Sequence, residues 1–301
     1  MSEVQLSIII PTRDRPERLA ACLQTLWAQD ASAGGLEVIV VDDGSSEPVQ
    51  RRLAAAVDGP RPRFVWQEPA GLNAARNTGA AASHGEVLAF LDDDTLVDPG
   101  WARAVTAAFH DTGCDALGGR INLLMEDAPP RWMTPRLRRY LAEYELGDQP
   151  DWITAEPVPV GANCAVRRST FDRLGGFAAG LDRVGSSLIS NGDTEFFRRL
   201  QRAGGTIRYE PRASVGHCVP ATRLSRDFFQ RRAHAQGLSD ALLDVALERR
   251  VVAMREYVRA GRSLPIAGKG LLAGRGLTGG RIWLEYCRGR LSAKCDDSQP
   301  R

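Results

Sequence analysis

An apolar run that ends in three consecutive aspartates constrains the fold of this chain more than any other feature of its sequence. Residues 86–91 (EVLAFL) predict a buried strand, and Asp92, Asp93 and Asp94 follow at once. Clustered carboxylates repel one another, so this placement calls for a cation or a hydrogen-bonding ligand that offsets the repulsion. A divalent metal bound to a phosphorylated substrate meets that need, while an Asp-rich turn that caps the next helix is the structural alternative.

A second strand-like run ends in the same way. Residues 36–41 (LEVIVV) are apolar and β-branched, and they stop at Asp42 and Asp43, which begin the turn sequence Asp-Asp-Gly-Ser. In parallel α/β sheets, ligands bind beyond the carboxyl ends of the strands, so both acidic turns are expected to face one crevice. Core packing gives no reason for this repetition, which therefore favours a ligand site.

The first half of the chain alternates strand-like and helix-like segments. We predict strands at 6–10, 36–41, 63–67 and 86–90, and helices at 16–29, 48–57, 72–83 and after Pro99. Such alternation predicts βαβ units with right-handed crossovers. The predicted fold class is α/β, with a Rossmann-like, mostly parallel central sheet flanked by helices.

Composition excludes several other classes of protein. A net charge of +2 over 301 residues lacks the strongly basic character of nucleic-acid-binding proteins. Six scattered cysteines include no Cys-x-x-Cys pair, which favours reduced thiols over disulfides or a zinc site. The N-terminus lacks the features of a signal peptide, and no apolar stretch is long enough to cross a bilayer. We therefore expect a cytoplasmic protein without membrane spans, and leave peripheral association with the inner face of the membrane open.

The regular pattern fails between residues 122 and 156. Prolines interrupt this segment, which carries the aromatic residues Trp132, Tyr140, Tyr144 and Trp152. Such a segment suits a functional loop that contacts a sugar or an apolar acceptor, and packing of the rings onto the core is the alternative. Beyond it we predict strands at 158–160, 206–209 and 213–217, and helices at 168–174, 194–203 and from 224 onward.

Seven short motifs occur in a fixed order over most of residues 6–237. They are 7–15 (SIIIPTRDR), 41–45 (VDDGS), 71–79 (GLNAARNTG), 85–94 (GEVLAFLDDD), 161–168 (GANCAVRR), 174–177 (LGGF) and 192–196 (GDTEF). Each is weak alone, but together they resemble the non-processive family 2 glycosyltransferases, whose fold is GT-A. Processive members carry a Gln-x-x-Arg-Trp signature and membrane spans. This chain has only QRRAH at 230–234, so transfer of a single sugar is expected.

The resemblance implies a pocket for a nucleotide-diphosphate sugar. Asp42 and Asp43 would accept hydrogen bonds from the base or ribose, and a turn-and-cap role for this stretch is compatible with that one. The guanidinium of Arg76 would bind the diphosphate. UDP is the family's commonest nucleotide, with GDP and dTDP as alternatives. The residues implied in donor binding are Pro11, Thr12, Arg13, Asp42, Asp43, Arg76, Asp92, Asp93 and Asn163.

The resemblance also implies a divalent metal, Mn²⁺ or Mg²⁺. Asp92 and Asp94 match the two acids of the family's DxD motif, in which the first touches ribose or metal and the second coordinates the metal. Asp93 is expected to face the other way because strand side chains alternate. His217 stands where relatives often supply a further metal ligand, although a lone histidine is more often structural.

Asp193 matches the family's catalytic aspartate. Inverting transfer needs a base that takes the proton from the acceptor hydroxyl while the nucleoside diphosphate leaves the anomeric carbon. The usual glutamate before this aspartate is replaced by Gly192, which puts the neighbouring acceptor contacts in doubt. The structural alternative for Asp193 is a helix N-cap. The glycine-containing stretch 175–191 is either a loop that closes over the donor or a simple connection.

These features predict a metal-dependent inverting glycosyltransferase that transfers one sugar to a hydroxyl of a saccharide, lipid-linked or small-molecule acceptor. We expect a GT-A catalytic domain at 1–222, with its nucleotide-sugar half before residue 121, and a helical extension with a disordered tail at 223–301. A catalytically inactive sugar-nucleotide-binding or scaffold protein is the alternative from another class. A sugar-phosphate nucleotidyltransferase is disfavoured because residues 11–15 lack the glycines of its phosphate loop.

Two other signals carry less weight. Residues 274–279 (GRGLTG) fit a dinucleotide-binding pattern, but no βαβ unit surrounds them. Arginine clusters would attract an anionic lipid-linked acceptor or a membrane surface, although solvated helix faces are the commoner explanation. These arginines are at positions 131, 136, 138, 139, 231, 232, 249 and 250. For the residues after 237, formation of a homodimer and acceptor binding both stay open.

Overall fold

A computed structural model of the protein describes residues 6–29, 35–53, 62–182, 187–247 and 276–292, with side chains in the last segment described from residue 280. Within these ranges the alternation predicted for the first half is confirmed. The strands are β1 Leu6–Thr12, β2 Leu36–Asp43, β3 Arg63–Gln67, β4 Val87–Leu91 and β5 Thr95–Val97. The helices are α1 Pro16–Trp27, α2 Val49–Leu53, α3 Leu72–Ala82 and α4 Trp101–Thr112. Residues 54–57 of the helix predicted at 48–57 lie outside the described residues.

The second half differs more from expectation. Its elements are β6 Ala116–Met125, α5 Pro135–Arg138, β7 Asp151–Trp152, β8 Asn163–Arg167, α6 Arg168–Leu174, α7 Gly192–Arg202, β9 Ile207–Val219, α8 Arg226–Ala246 and α9 Gly276–Ser292. The predictions of α6, α7 and a helix after residue 224 are confirmed. The strand predicted at 158–160 does not form, and those predicted at 206–209 and 213–217 are parts of one strand, β9.

The central sheet brings the acidic turns to one edge. Its strand order is β3-β2-β1-β4-β8-β6-β9-β5, with β7 also paired to β9. The strands β1 to β4 run parallel, whereas β8 is antiparallel to both β4 and β6, and β9 is antiparallel to β5 and β7. The sheet is therefore more mixed than expected. Because the carboxyl ends of β1, β2 and β4 share one edge, the residues that follow them are neighbours.

The core fixes the element that carries the predicted base. Every residue of β4 is buried, and Phe90 on this strand packs against Phe171 and Phe177 at ring-centroid distances of 5.6 and 5.0 Å. Phe196 of α7 lies 5.0 Å from Phe177. Each buried phenylalanine stabilises the fold by about 1.5–3 kcal/mol. This aromatic cluster holds α7 against the centre of the sheet.

The chain divides into two compact units. The first comprises residues 1–124, 142–179 and 192–218 and contains nearly all of the sheet. The second comprises 125–141, 180–191 and 219–301 and contains the C-terminal helices. The boundary predicted at residue 222 stays a prediction. Arg249, Arg250, the first two residues of the motif at 274–279 and the tail predicted to be disordered lie outside the described residues, whereas residues 276–279 of the motif begin α9.

In the second unit, α8 and α9 lie close together because two glycines permit it. A Cβ on Gly237 would stand 2.0 Å from the carbonyl oxygen of Tyr286, and one on Gly289 would stand 1.8 Å from that of His234. No described helix is both long enough and apolar enough to span a bilayer. The homodimer and peripheral membrane association stay predictions.

Of the four aromatic residues in the irregular segment, three pack internally. Trp132 and Tyr140 contact Phe229 at ring-centroid distances of 5.3 and 6.4 Å. Tyr144 is buried against Tyr209. These contacts confirm the packing alternative for the three rings. Trp152, in contrast, is 43% exposed.

Candidate active site

One face of α3 organises the region after β4. Asn73, Arg76 and Asn77 are spaced i, i+3 and i+4, so their side chains lie on the same side of the helix. Arg76 is buried, its Nη2 donates to Asp92 Oδ1 over 2.8 Å, and its guanidinium lies 5.6 Å from the centroid of the Phe177 ring. Asn77 exchanges two hydrogen bonds of 2.9 Å with the backbone of Phe177. The helix thus sets Arg76 beside the acidic turn and anchors residue 177.

The three aspartates after β4 do not alternate as a strand would. Asp93 Oδ2 accepts from Thr12 Oγ1 over 2.8 Å, and Arg15 Nη1 lies 3.2 Å from Asp93 Oδ1 and 3.6 Å from Asp94 Oδ2. Asp93 and Asp94 therefore share one guanidinium, contrary to the expectation that Asp93 faces away. The physical reason is that β4 ends at Leu91, so the aspartates lie in a turn. Burial, reinforced by the charge of Asp94, raises the pKa of Asp93 to about 7.

Asp94 and His217 form a pair that suits a divalent cation. Their Oδ1 and Nε2 atoms lie 3.2 Å apart, and both side chains are buried. His217 Nδ1 has no hydrogen-bond partner in the part of the chain that the structure describes. Among those same residues no cluster of three or more His, Cys, Asp or Glu could hold a metal by itself. The pair fits a cation that takes its other ligands from phosphate and water, as Mg²⁺ commonly does.

The acidic turn after β2 is satisfied by its own surroundings. Asp42 accepts from the backbone N–H groups of Ser45 and Val49 over 2.9 and 3.0 Å. Asp42 therefore performs the turn-and-cap role through these two hydrogen bonds. Asp43 accepts from one side-chain amide and two backbone N–H groups over 2.7–3.0 Å, those of Gln67, Ala70 and Gly71. This turn fixes the start of α2 and the loop before α3.

Gly161 joins the predicted diphosphate-binding residue to the predicted base. Its backbone N–H donates to Asp193 Oδ2 over 2.8 Å. A Cβ at this position would stand 2.6 Å from both terminal nitrogens of Arg76, so only glycine fits without displacing the guanidinium. The carboxylate of Asp193 and the guanidinium of Arg76 therefore contact the same residue.

Asp193 lies at the first turn of α7 and is partly exposed. Its Oδ1 accepts from the backbone N–H of Thr194 over 2.7 Å, so one N–H donor orients each carboxylate oxygen. The unusual Gly192 has a steric reason, because a Cβ there would stand 2.1 Å from Asn73 Nδ2. Asn73 also donates to the carbonyl of Ala178 over 2.7 Å.

The remaining predicted site residues divide between the edge of the sheet and its interior. Pro11 and Thr12 are buried at the end of β1, and Arg13 beside them is exposed. Asn163 has a different role from the one expected. Its amide accepts from Trp101 Nε1 over 3.0 Å and donates to the carbonyls of Arg120 and Ala213, which makes it part of the framework.

Three contributors were not singled out from the sequence. Arg15 and Gly161 appear there only inside longer motifs, and Asn73 only as part of the α3 motif. The spacing of Asn73, Arg76 and Asn77 on one helix face was the available signal for the polar surface of α3. No local pattern indicates that Arg15 lies on two aspartates about eighty positions away.

The chain matches known proteins over most of its length. The family model described as "Glycosyl transferase family 2" matches residues 7–175. The succinoglycan biosynthesis protein ExoM of Rhizobium meliloti strain 1021 is 30% identical over 247 residues, which is 78% of this chain and 73% of that protein.

Two solved structures share the fold. A mannosyltransferase from Pyrobaculum calidifontis, in complex with GDP-Man and Mn²⁺, aligns with a TM-score of 0.58 at 20% identity and covers 100% of this chain and 78% of its own. GalNAc-T7 with UDP, GalNAc and Mn²⁺ aligns with a TM-score of 0.54 at 18% identity, over 79% of this chain and 48% of that one. At these identities the likeness is evidence for the fold alone.

Proposed function

The chain belongs to glycosyl transferase family 2 and has the GT-A fold, and from that premise we propose that it transfers one sugar with inversion from a nucleotide-diphosphate sugar to an acceptor hydroxyl. The observation that carries the proposal is the contact of Gly161 with both Arg76 and Asp193. A guanidinium suited to the leaving diphosphate and a carboxylate suited to the attacking hydroxyl both lie next to one glycine. Both groups would thus lie close to the anomeric carbon of a donor bound there.

The donor would lie along the edge formed by β1, β2 and β4. A carboxylate has about four lone-pair positions, so the two internal hydrogen bonds of Asp42 and the three of Asp43 leave capacity for base or ribose. Pro11, Thr12 and Arg13 border the same edge. We favour UDP because it is the nucleotide that the family uses most often, with GDP and dTDP as alternatives.

Arg76 would bind the diphosphate. Its Nε is buried and has no hydrogen-bond partner in the described residues, so it has a donor to spare beyond the pair with Asp92. Guanidinium geometry suits bidentate binding of phosphate oxygens. The pair with Asp92 and the ring of Phe177 hold the guanidinium in place before the donor arrives.

Asp94 and His217 would hold a divalent cation, Mn²⁺ or Mg²⁺, next to that diphosphate. When bound, this cation supplies positive charge that stabilises the departing nucleoside diphosphate. Asp92, the other acid of the DxD motif, is paired with Arg76, so its proposed role is to orient the guanidinium. Arg15 balances the remaining charge of Asp93 and Asp94.

Asp193 would take the proton from the acceptor hydroxyl. The N–H groups of Gly161 and Thr194 fix the orientation of its carboxylate, and the unused lone pairs of its oxygens are available to the acceptor. A positioned general base contributes about 10²- to 10⁴-fold to the rate.

The test is a panel of UDP-, GDP- and dTDP-sugars with Mn²⁺ or Mg²⁺, in which release of the nucleoside diphosphate is measured for the wild type and for Asp193→Asn. We expect one donor to be turned over and the variant to lose about 10³-fold. The thermal shift produced by the nucleoside diphosphate should persist in the variant, because ligand binding to the folded state is retained. The matched control is Asp227→Asn, which changes an exposed aspartate in the first turn of α8.

Turnover by Asp193→Asn within threefold of the wild-type rate would refute the assignment of the base. A clear thermal shift with nucleoside diphosphates, together with no turnover of any donor, would instead favour the inactive binding protein.

A further inference from the structure

Residues 174–178 (LGGFA), which we call the bridging segment, begin at the last residue of α6 and lie in the first compact unit, as do α3 and α7. Gly175 and Gly176 in this segment have left-handed backbone conformations with φ of 77° and 74°. Glycine restricts the backbone less than any other residue and has no side chain that could pack. The conformation of the bridging segment therefore depends on groups that its neighbours supply.

One of these groups is the guanidinium of Arg199 on α7. Its Nη1 donates to the carbonyl of Leu174, and its Nη2 donates to the carbonyl of Gly176 over 2.7 Å. The buried carboxylate of Glu195, one turn earlier on α7, accepts from Nε and Nη2 of Arg199 over 2.9 and 2.8 Å. The ring centroid of Phe196 lies 5.4 Å from the same guanidinium. The carboxylate and the ring fix the plane of the guanidinium, which directs its other N–H groups at the bridging segment.

The other side of the bridging segment is held by α3. Asn77 exchanges two hydrogen bonds with the backbone of Phe177, and Asn73 donates to the carbonyl of Ala178 over 2.7 Å. A Cβ on Gly176 would stand 2.7 Å from Asn77 Oδ1, so the helix and the segment are in close contact. Side chains of α7 and α3 thus bind four carbonyl groups of the five residues.

Phe177 carries the ring that lies 5.6 Å from the guanidinium of Arg76. We infer that Arg199 is a positioning residue for Arg76, because it fixes the bridging segment and the segment holds the Phe177 ring against the Arg76 guanidinium. This inference rests on the proposed function, in which Arg76 binds the diphosphate and Asp193 is the base. Arg199 and Asp193 are both on α7, so the same contacts link the helix of the base to the residue that binds the leaving group.

Such a link matters because catalysis needs both groups at a fixed separation, and a misplacement of about 1 Å costs on the order of 10²-fold in rate. The structural alternative is that Arg199 only caps α6, whose last carbonyl groups lack partners within the helix. A cap needs the carbonyl of Leu174, but Arg199 also binds that of Gly176, which lies beyond the helix and directly precedes Phe177. This second contact favours the positioning role.

The variant that tests the inference is Arg199→Lys. Its ammonium group can still pair with Glu195 at i, i+4, so the buried carboxylate keeps a positive partner. It lacks the planar fork that reaches two carbonyl groups at once. The matched control is Arg198→Lys at the next position of α7, where the ion pair of 2.6 Å is with Glu156, outside the bridging segment. Glu195→Gln is a second variant, which keeps Arg199 but weakens its orientation.

The first measurement needs no ligand. In full-length protein with labelled arginine, the Nε–H resonance of Arg76 is assigned by its absence from the spectrum of Arg76→Lys. This Nε is buried and the guanidinium lies near the Phe177 ring, so its chemical shift reports on the position of that ring. We expect the resonance to move in Arg199→Lys, to move less in Glu195→Gln, and to stay unchanged in Arg198→Lys.

The second measurement is the Kd for inorganic pyrophosphate with Mn²⁺, determined by calorimetry. Arg199→Lys should raise this Kd about fivefold, and Arg198→Lys should change it less than about twofold. In an Arg76→Lys background, Arg199→Lys should cause no further loss, because its effect is transmitted through the guanidinium that is no longer there. A residue that only stabilises the fold would give the same loss in both backgrounds.

An Arg76 resonance that stayed in place in both Arg199→Lys and Glu195→Gln would overturn the inference, and so would equal losses of pyrophosphate affinity in the two backgrounds. If the wild type bound no pyrophosphate and turned over no donor, the proposed function would fail. The Arg76 resonance would then decide by itself whether Arg199 positions this residue, so the two failures are distinguishable.

Discussion

The two acidic turns, after β2 and after β4, satisfy their carboxylates in different ways. Asp42 and Asp43 accept mainly from backbone N–H groups of the loops that follow them. The aspartates after β4 are instead matched by basic side chains from distant elements, which are Arg15, Arg76 and His217. The backbone donors are used within their own loop, whereas Arg76 Nε and His217 Nδ1 have no hydrogen-bond partner in the described residues. We therefore propose that the first turn gives the site its shape and that the second carries its chemistry.

The largest expected effect is at the second turn. Asp94→Asn should lower kcat/KM about 10³-fold, because a neutral amide binds a divalent cation poorly and removes charge stabilisation worth several kcal/mol. The melting temperature should not fall, since the change relieves repulsion between neighbouring buried carboxylates. Donor turnover and thermal melts measure both quantities, with the exposed Asp98→Asn as control. A variant that loses stability but keeps its activity would break the comparison.

The first turn should respond in the opposite sense. Asp42→Ala leaves the N–H groups of Ser45 and Val49 without a charged acceptor, which should lower the free energy of unfolding by about 3 kcal/mol. Turnover per folded molecule should change less than about fivefold. Urea unfolding measures the loss, and Glu47→Ala, an exposed carboxylate in the same loop, is the control. If instead the KM for the donor rose tenfold at unchanged stability, the main role of Asp42 would be to bind the nucleoside, and capping of the turn would be secondary.

The acidic turns could be predicted from the sequence because local patterns determine them. Short apolar runs bounded by turn residues indicate strands, and parallel strands bring their carboxyl ends together. β8 was missed because Asn163-Cys-Ala-Val-Arg167 has neither alternation nor a run of β-branched residues. Its conformation depends on pairing with β4 and β6 on either side. β9 was predicted as two strands, at 206–209 and 213–217, but it continues without a break through Pro211.

The other features that could not be predicted from the sequence depend on contacts between residues far apart in the chain. Asn163 was expected at the donor because of its motif, yet its amide is bound by Trp101, Arg120 and Ala213, which lie 43 to 62 positions away. The need for glycine at 161 likewise appears only when Arg76 is seen against its backbone. Such contacts follow from the packing of the folded chain, and no periodicity encodes them.

A smaller effect tests whether geometry, and not charge alone, matters at the second turn. Arg76→Lys keeps the positive charge but loses the planar fork that binds Asp92 and faces Phe177. We expect turnover to fall about tenfold, a loss of about 1.4 kcal/mol in transition-state stabilisation. Donor kinetics measure this, with the exposed Arg103→Lys on α4 as control. Full activity in Arg76→Lys would mean that a positively charged side chain is sufficient at position 76, whatever its geometry.

The smallest expected effect is at Glu37, a carboxylate outside the proposed site. Glu37 on β2 is partly buried, which opposes its ionisation, but hydrogen bonds from Ser7, His84 and Gly85 outweigh burial and lower its pKa to about 2. A folded-state pKa below the unfolded value of 4.5 means that Glu37 stabilises the fold fully above that value and loses this contribution as the pH falls towards 2. Solvent screening limits the effect, so Glu37→Gln should cost about 1 kcal/mol at neutral pH and progressively less in acid, with donor turnover unchanged. Urea unfolding at several pH values measures the difference, and a gap between variant and wild type that stayed constant down to pH 3 would show that packing, not charge, is what Glu37 provides.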